Sequence, residues 1–375
     1  MGKIYTALGL MSGTSGDGVD VSIISSDGVD QYSEIINKYF KYDEKIYKNL
    51  HKLRAKILKS NDLKNNINEI SNLEREITLF HAKIVNNILE FTNKNIDFIG
   101  FHGQTIYHNP LEKISKQIGD GNLLSQLTKK KVIYNFRQND IKNGGEGAPL
   151  APVFHKLIVN QKKIKLPVCI LNIGGIANVT VIARHEKNNF SSRDLGPGNC
   201  LIDEWIRNNT KNNFDNNGEI ASRGKINQLI LNQAIDNFDN RPNQTTLSFD
   251  TKDFSLGFVR GLSIEDGAAT LTDFTGRIIG TELTSFLSEE REKLWKVLVC
   301  GGGRKNTTLI EKIKNRIPKN LVIESIDDYG IDGDYVESQA FAYLAIRSFL
   351  KLPISFPSTT GCKEPCTGGL IAKNF

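Results

Sequence analysis

The first residues of the chain fall into two apolar runs separated by a polar, glycine-rich segment. Residues 4–11 and 19–24 are dominated by aliphatic and β-branched side chains, which predicts two strands of a hairpin. Between them, the segment SGTSGDG combines glycines with hydroxyl and carboxylate side chains. The pattern therefore predicts a polar turn at the end of a β-hairpin.

The pattern then becomes helical. Residues 43–93 are polar and carry apolar side chains at near-helical spacing, which predicts helices that flank the first lobe. Short apolar runs at 96–101 and 131–136 each predict a strand that ends in polar residues, HGQT and RQNDIK. A helix is predicted to begin at Pro149. Since open α/β sheets bind ligands at the carboxyl ends of strands, the two polar segments are candidate ligand contacts.

The second half of the chain repeats the opening pattern. Residues 167–182, PVCILNIGGIANVTVI, predict a strand, a tight glycine turn and a returning strand. The turn GPG at 196–198 then leads into a predicted helix with Asn199 as its N-cap, and Asp194 is expected just before that helix. We interpret 167–182 as a structural repeat of the first hairpin.

Two further helices complete the pattern. The segment KVLVCGGGRKNTTLIEKI predicts a strand, a glycine turn and a helix in which Thr308 and Glu311 have capping-box spacing. The segment GDYVESQAFAYLAIRSFL predicts a long apolar helix with Glu337 in its first turn. Strands that alternate with helices in this way are typical of an α/β protein.

Length and composition narrow the class of protein. A chain of 375 residues is longer than one core usually serves, which predicts two domains and a cleft. Hydrophobic residues at 39% and charged residues at 24% exclude a disordered or fibrous chain. The net charge is +6, but the lysines are dispersed among acidic residues, so we expect no nucleic-acid partner. A mild positive charge would also suit a small anionic substrate.

The termini and cysteines indicate a reducing compartment. The N-terminal apolar run is too short for a signal peptide, and no segment approaches the ~20 apolar residues of a membrane span, so we expect a cytoplasmic protein with no membrane partner. Five cysteines, an odd number, are expected to be reduced thiols. Cys362 and Cys366 do not have the spacing of a zinc knuckle, and we expect no metal there.

The first glycine-rich turn has the composition of a phosphate-binding loop. Its glycines let backbone amides approach an anion, and its hydroxyls add donors. Two carboxylates would repel bare phosphate, so at least one of them is expected to face Mg²⁺. The candidates are Gly13, Thr14, Ser15, Gly16, Asp17, Gly18, Val19 and Asp20, with Asp17 and Asp20 as metal ligands. The alternative is a plain Gly/Asp hairpin turn.

Two more glycine turns strengthen the nucleotide interpretation. They comprise Gly174 and Gly175 in the second hairpin and Gly301, Gly302 and Gly303 after a later strand. Two lobes that close on one nucleotide would place a phosphate loop on each side, with the triglycine turn beside the nucleoside. ATP with Mg²⁺ is the predicted ligand.

The reaction still needs a group that activates the attacking oxygen. Asp194 is the best candidate for a general base, and the alternative is an ordinary helix cap. His102 and Gln104 are predicted to hydrogen-bond a polar substrate, whereas a metal site of His102 and His108 lacks a third ligand. Arg137 is expected to bind a carboxylate or phosphate, or to pair with Asp140.

A series of motifs then resembles one family throughout the chain. The motifs, in order, are GLMSGTSGDGVD, FHGQTIYHNP, QIGDGNLL, NFRQNDIKNGGEGAPLAPVFH, LNIGGIANVTV, DLGPGNCLID, VCGGGRKNTTL, VESQAFAYLA and PSTTGCKEP. In this order they resemble the motifs of the anhydro-N-acetylmuramic acid kinase family, from near Gly9 to near the C-terminus.

The resemblance implies a fold and an activity. The family belongs to the acetate and sugar kinase/Hsp70/actin superfamily, whose actin-like ATPase fold has two lobes around a nucleotide cleft; we expect lobes of residues 1–130 with 350–375 and of residues 131–349. Enzymes of this family convert ATP, water and 1,6-anhydro-N-acetylmuramic acid to ADP and N-acetylmuramic acid 6-phosphate in murein recycling. The resemblance also suggests a homodimer.

The resemblance also assigns residues. It places the ATP loop on 13–20, the catalytic aspartate on Asp194 and the adenosine-side turn on 301–303. It places five residues around the sugar: His102, Gln104, Arg137, Asp140 and Glu337. Gly16 stands where a leucine is common, which is expected to loosen the turn, and Asn135 stands where an aspartate is usual. The rival interpretations are another sugar kinase or phosphohydrolase of the superfamily and a nucleotide-binding switch without turnover.

Overall fold

The computed structural model describes residues 2–92, 94–184, 190–241, 247–287 and 293–375. Its chain divides into two compact units. The first unit comprises Met1–Ile164 with Tyr335–Phe375, and the second comprises Lys165–Asp334.

The strands, in chain order, are β1 (Tyr5–Ser12), β2 (Gly18–Ser26), β3 (Tyr32–Lys41), β4 (Phe98–Asn109), β5 (Ile114–Ile118), β6 (Lys131–Tyr134), β7 (Val168–Ile173), β8 (Ile176–Ile182), β9 (Phe190–Pro197), β10 (Trp295–Cys300), β11 (Leu321–Ser325) and β12 (Leu370–Ala372).

The helices are α1 (Glu44–Lys56), α2 (Ser60–Asn65), α3 (Ile67–Phe91), α4 (Gly121–Thr128), α5 (Gln138–Lys142), α6 (Pro152–Gln161), α7 (Cys200–Asn209), α8 (Glu219–Arg223), α9 (Gln228–Asp239), α10 (Ile264–Phe286), α11 (Thr307–Lys314), α12 (Val336–Phe349) and α13 (Pro357–Thr360).

Each unit is built on one mixed sheet, and the two sheets share a topology. In the first unit the order is β12-β6-β4-β1-β2-β3, with β5 paired to β4. In the second it is β11-β10-β7-β8-β9. Both sheets contain an antiparallel meander whose first strand is followed by two parallel strands, β4 and β6 in one and β10 and β11 in the other. The predicted repeat of the first hairpin and the α/β class are confirmed.

Both faces of the first sheet are covered, which explains why its central strands are apolar throughout. Leu8, Leu10 and Val21 pack with α1, α3 and α4 in one core. On the other face α12 lies so close that a Cβ at Gly9 would be 2.0 Å from the Ser338 carbonyl oxygen. A Cβ at Gly100 on β4 would likewise be 2.2 Å from a carbonyl oxygen of α12. The glycines of β1 and β4 therefore permit the close approach of α12.

Several predicted boundaries change. The predicted strand 96–101 extends through HGQT to Asn109, because β4 continues as a hairpin with β5. The helix expected at Pro149 begins at Pro152. The helical stretch 43–93 is three helices, and its last residue, Asn93, lies outside the described residues.

Two further predictions concern helix starts. The N-cap of α11 is Asn306, whose side chain accepts a hydrogen bond from the Leu309 amide at 2.9 Å, so the predicted capping box at Thr308 was wrong. Asp194 lies within β9, a strand that the polar sequence FSSRDLGP did not predict.

The two units end elsewhere than the predicted lobes of 1–130 with 350–375 and of 131–349. Residues 131–134 form β6 and pair with β4, which places them in the first sheet. The helix α12 packs on β1, β2 and β4, so it also belongs to the first unit. Within the described residues, no helix is long and apolar enough to cross a membrane.

Candidate functional site

The first glycine turn is held by its neighbours in the first unit. It is closed by a hydrogen bond from the Gly16 amide to the Gly13 carbonyl at 3.2 Å. Arg54 of α1 donates to the Thr14 carbonyl, and the Tyr42 amide donates to the Asp17 carbonyl at 2.9 Å. Gly16 has a φ of +66°, a left-handed conformation that suits glycine and would strain a leucine. Glycine at this position therefore allows a left-handed turn that a leucine would adopt only with strain.

The two predicted metal ligands differ in setting. The Asp17 carboxylate accepts a hydrogen bond from the Ser15 hydroxyl within the turn. Burial, followed by the nearby Asp17 charge, raises the pKa of the Tyr39 phenol well above its usual value. Asp20 lies on β2, opposite Met11 and Tyr39, on the sheet face that α12 covers. Both aspartates are half-buried.

His102 on β4 and Arg137 at the start of α5 are hydrogen-bonded to each other. The His102 Nδ1–H donates to the Gly103 carbonyl at 2.8 Å, and its Nε2 accepts from Arg137 Nη2 at 2.9 Å. Burial and the Arg137 charge lower the pKa of His102 to about 3, so the imidazole is neutral. Arg137 Nη1 also donates to the Gly147 carbonyl at 3.0 Å. The histidine and the loop thus orient the guanidinium.

Gln104 links the substrate candidates to the first turn. It is fully buried, and its Nε2 donates to the Gly13 carbonyl at 2.9 Å. Its Oε1 has no hydrogen-bond partner among the described residues. A buried amide oxygen without a partner costs free energy, so a polar ligand at this position would satisfy it.

Glu337 and Asp140 occupy different environments. Glu337 is half-buried in the first turn of α12, next to Ser338, which bonds Ser22 of β2. Asp140 is 1% exposed, and its carboxylate accepts hydrogen bonds from the Gly147 amide at 2.7 Å and from the Thr360 hydroxyl at 2.6 Å. These contacts place Asp140 against the Gly147 loop, whose carbonyl also accepts a hydrogen bond from Arg137.

In the second unit, the glycine hairpin is braced by the start of α7. The Gly198 and Asn199 amides donate to the Gly175 and Gly174 carbonyls at 2.9 and 2.7 Å. A Cβ at Gly198 would be 2.3 Å from the Gly174 carbonyl oxygen, so this contact requires glycine. Asn199 is the N-cap residue as predicted, but its side chain bonds the Ile173 carbonyl rather than an amide of the helix.

Asp194 is held by backbone groups. It is 8% exposed on β9, and its amide donates to the Leu247 carbonyl at 2.8 Å. Its Oδ2 accepts a hydrogen bond from the Phe249 amide at 2.8 Å. The sequence did not predict this amide contact, because Phe249 lies 55 positions away. This backbone donor fixes the orientation of the carboxylate.

The triglycine turn is anchored on both sides. The Gly301 amide donates to the Gly333 carbonyl at 2.9 Å, and Arg304 binds the Gly301 carbonyl and the Asp327 carboxylate. A Cβ at Gly303 would be 2.2 Å from Ile173 Cγ2, whereas one at Gly302 would have only Asn199 Nδ2 nearby, at 4.0 Å. The turn therefore packs through Gly303 and leaves space beside Gly302.

Like the triglycine turn with Gly302, the other two glycine turns each contain a glycine at which a Cβ would have room. A Cβ at Gly13 would meet only Ser15 Oγ at 3.7 Å, and one at Gly174 only the Ile176 carbonyl at 3.6 Å. These glycines are not required by the packing of the chain itself. Room beside the Cα is what close approach of a phosphate or nucleoside needs.

Comparison with known proteins decides the family. A sequence profile described as anhydro-N-acetylmuramic acid kinase matches residues 5–374. The anhydro-N-acetylmuramic acid kinase of Pelagibacter ubique (strain HTCC1062) is 58% identical over 375 residues, which cover 100% of both chains. The chain belongs to the anhydro-N-acetylmuramic acid kinase family. The family enzyme of Agrobacterium fabrum (strain C58 / ATCC 33970) is 36% identical over 379 residues, again covering 100% of both chains.

Among solved structures, hexokinase from Schistosoma mansoni complexed with glucose matches with a TM-score of 0.43 and 10% identity, covering 91% of this chain and 85% of the hexokinase chain.

Membership of the anhydro-N-acetylmuramic acid kinase family agrees with the resemblance drawn from the sequence motifs. It supports the acetate and sugar kinase/Hsp70/actin fold class, consistent with the repeated sheets of the two units. The DLGPGN motif of this kinase family chain supplies Asp194 on β9, and the SGTSGDG motif supplies the turn between β1 and β2.

Proposed function

We propose that this chain is an ATP-dependent kinase that opens 1,6-anhydro-N-acetylmuramic acid with water and phosphorylates O6. The products are N-acetylmuramic acid 6-phosphate and ADP, formed during recycling of murein. The observation that carries the proposal is the full-length match to a kinase of this name, 58% identical over 375 residues. The fixed carboxylate of Asp194 supports it.

The proposed base is Asp194. Its carboxylate takes a proton from water while the water oxygen bonds to the anomeric carbon and the bond from that carbon to O6 breaks. The released O6 attacks the γ-phosphorus of ATP, and ADP leaves. The Phe249 amide holds Oδ2 in place, so the carboxylate is oriented before substrate binds. Because Asp194 is only 8% exposed, little bulk water competes for the proton.

The proposed sugar contacts come from the first unit. Arg137, oriented by neutral His102, carries the positive charge for the carboxylate of the substrate's lactyl group. Gln104 offers its unpaired Oε1 to a substrate hydroxyl or amide. Glu337 contributes a carboxylate from α12. We propose that Asp140 acts through the Gly147 loop, since its oxygens bind that loop and Thr360.

The proposed nucleotide contacts are the glycine turns. Residues 13–20, Gly174 with Gly175, and 301–303 supply backbone amides and open positions for the phosphates and adenosine. The half-buried carboxylates of Asp17 and Asp20 are hard oxygen ligands and fit Mg²⁺. When bound, Mg²⁺ neutralises phosphate charge. We also propose, from the family resemblance, a homodimer and a cytoplasmic location.

The proposal is tested by ADP release with Mg·ATP. Three reactions are compared, with 1,6-anhydro-N-acetylmuramic acid, with N-acetylmuramic acid and with no sugar, and the product is weighed by mass spectrometry. We expect ADP only with the anhydro sugar, and a product that has gained one water and one phosphoryl group. Turnover with another sugar would favour a different sugar kinase. Nucleotide binding with no sugar product would favour a switch protein.

A substitution at Gly302 tests the nucleotide contacts. Gly302→Ala has room in the folded chain, so stability should stay within ~0.5 kcal/mol of the parent. The added methyl occupies the proposed nucleotide side of the turn, and we expect KM for ATP to rise about tenfold, or ~1.4 kcal/mol. Steady-state kinetics measure it. Gly257→Ala, in an exposed 3₁₀ turn of the same unit, is the control and should leave KM unchanged. Equal KM values for all three proteins would contradict the placement.

A further inference from the structure

The C-terminal loop after α13 turns two cysteines inward. Gly361 ends the helix with a left-handed φ of +73° and directs the chain to Cys362. Cys362 and Cys366 are 2% and 4% exposed, whereas the three residues between them are exposed. Both cysteines are free thiols in the structure. The loop therefore exposes its three central residues and buries the two cysteine side chains that flank them.

A carboxylate faces these sulfur atoms. Asp140 of α5 is 1% exposed, and one of its oxygens and the two Sγ atoms all lie within 4.8 Å of one another. Tetrahedral Zn²⁺ has Zn–S distances of about 2.3 Å and Zn–O distances of about 2.0–2.2 Å, so its ligand atoms are roughly 3.5–3.8 Å apart. Side-chain rotations that move the ligand atoms by about 1 Å would bring the two Sγ atoms and the Asp140 oxygen to the separations of a zinc site.

We propose that Cys362, Cys366 and Asp140 bind one thiophilic divalent cation, with Zn²⁺ as the best match. Thiolate ligands select zinc over Mg²⁺, and a carboxylate is an accepted third ligand. In the described part of the chain, no fourth histidine, cysteine, aspartate or glutamate joins the cluster, so water completes the coordination. The site is separate from the Mg²⁺ carboxylates at 17 and 20.

The surrounding groups support the ligands. The Gly147 amide and the Thr360 hydroxyl orient the Asp140 carboxylate, each on a different oxygen, and each oxygen keeps a further lone pair for a cation. Both thiols lie within hydrogen-bond distance of the Glu364 carbonyl, at 3.1 and 3.0 Å. A cation would replace these two thiol protons.

The loop itself is anchored by its backbone. The Cys366 amide donates to the Ser355 carbonyl at 3.0 Å, and the Lys363 amide donates to the Asn143 carbonyl at 3.1 Å. A bound cation would join the C-terminal loop to the Gly147 loop and so stabilise the support of Arg137.

The test uses the full chain, freed of any affinity tag, reduced and stripped of metal. We expect one equivalent of Co²⁺ to give a sulfur-to-cobalt charge-transfer band and the visible bands of a tetrahedral site, and Zn²⁺ to displace it. Cys362→Ser, Cys366→Ser and Asp140→Asn should each lower Zn²⁺ affinity at least about 100-fold, the upper end of what loss of a supporting residue causes. The control Cys169→Ala, a buried thiol of β7, should bind like the parent.

A second measurement keeps the proposal testable if these variants fail to fold. In the unaltered chain, Zn²⁺ should protect Cys362 and Cys366 from alkylation, as mapped by mass spectrometry, whereas Mg²⁺ should not. The proposal is overturned by a reduced chain without a thiolate band, by a band that survives in Cys362→Ser or disappears in Cys169→Ala, by alkylation that Zn²⁺ does not change, or by a disulfide between the two cysteines in protein kept under reductant.

Discussion

Asp194→Asn should lower turnover of the anhydro sugar by at least ~100-fold, the lower end for loss of a general base. The amide is nearly isosteric with the carboxylate and still offers an oxygen to the Phe249 amide. The substitution therefore keeps the local geometry of β9 while it removes the proton acceptor. Nucleotide affinity should stay unchanged, because the proposed nucleotide contacts are backbone groups of the glycine turns.

The measurement is sugar-dependent ADP release, together with ATP binding by titration calorimetry. Asp236→Asn, which removes an exposed carboxylate on α9 of the same unit, is the matched control and should keep parental turnover. Near-parental activity in Asp194→Asn would contradict the proposed mechanism. Loss of ATP binding along with turnover would mean that the residue supports the fold of the nucleotide turns instead.

Much of this architecture follows from local patterns. The runs that became β1, β2, β7 and β8 were predicted within one or two residues, because apolar runs bounded by glycine turns are a strong local signal. The β9 strand was missed since its sequence FSSRDLGP is largely polar, and its place in the sheet comes from pairing with β8. Local propensity carries no information about that pairing.

The candidate site likewise combines residues that local motifs predicted with partners that they did not. Motif order identified the glycine turns and Asp194, whereas their partners come from distant segments. Phe249 holds Asp194 across 55 positions, and Thr360 holds Asp140 across 220. The spacing of Cys362 and Cys366 alone argued against a metal, and only the fold places Asp140 beside them. Such long-range contacts are set by packing, which a single sequence does not reveal.

The first unit should lose stability as the pH falls from 7 to 5. Burial lowers the pKa of His81 to about 4 and, with Arg137 as a second cause for His102, the pKa values of His102 and His155 to about 3. An unfolded histidine titrates near 6.5. Below that pH the unfolded chain binds more protons than the folded chain, so the contribution is fully present above 6.5 and is lost toward the folded pKa values.

The size of the effect follows from the same linkage. At pH 5, about 1.5 units below 6.5, each histidine that stays neutral in the fold costs about 2 kcal/mol, and the three together cost about 6 kcal/mol. Desolvation by burial raises the pKa of Asp327, but its hydrogen bonds and the Arg304 charge together outweigh that effect and lower the pKa to about 2. The stability that Asp327 contributes is therefore lost only below about pH 5. The window from pH 7 to 5 therefore isolates the histidines from this carboxylate.

Hydrogen exchange read by mass spectrometry is the suitable measurement, because both tryptophans, Trp205 and Trp295, lie in the second unit and do not report on the first. We expect protection of amides in β1 and β4 to fall at pH 5 after correction for intrinsic exchange rates. His155→Gln removes one buried titrating group from α6 and should recover about 2 kcal/mol of that loss. Asn160→Gln, an exposed change on the same helix, should recover none. Equal protection at both pH values, or a loss that His155→Gln leaves intact, would show that these histidines do not set the acid stability of the first unit.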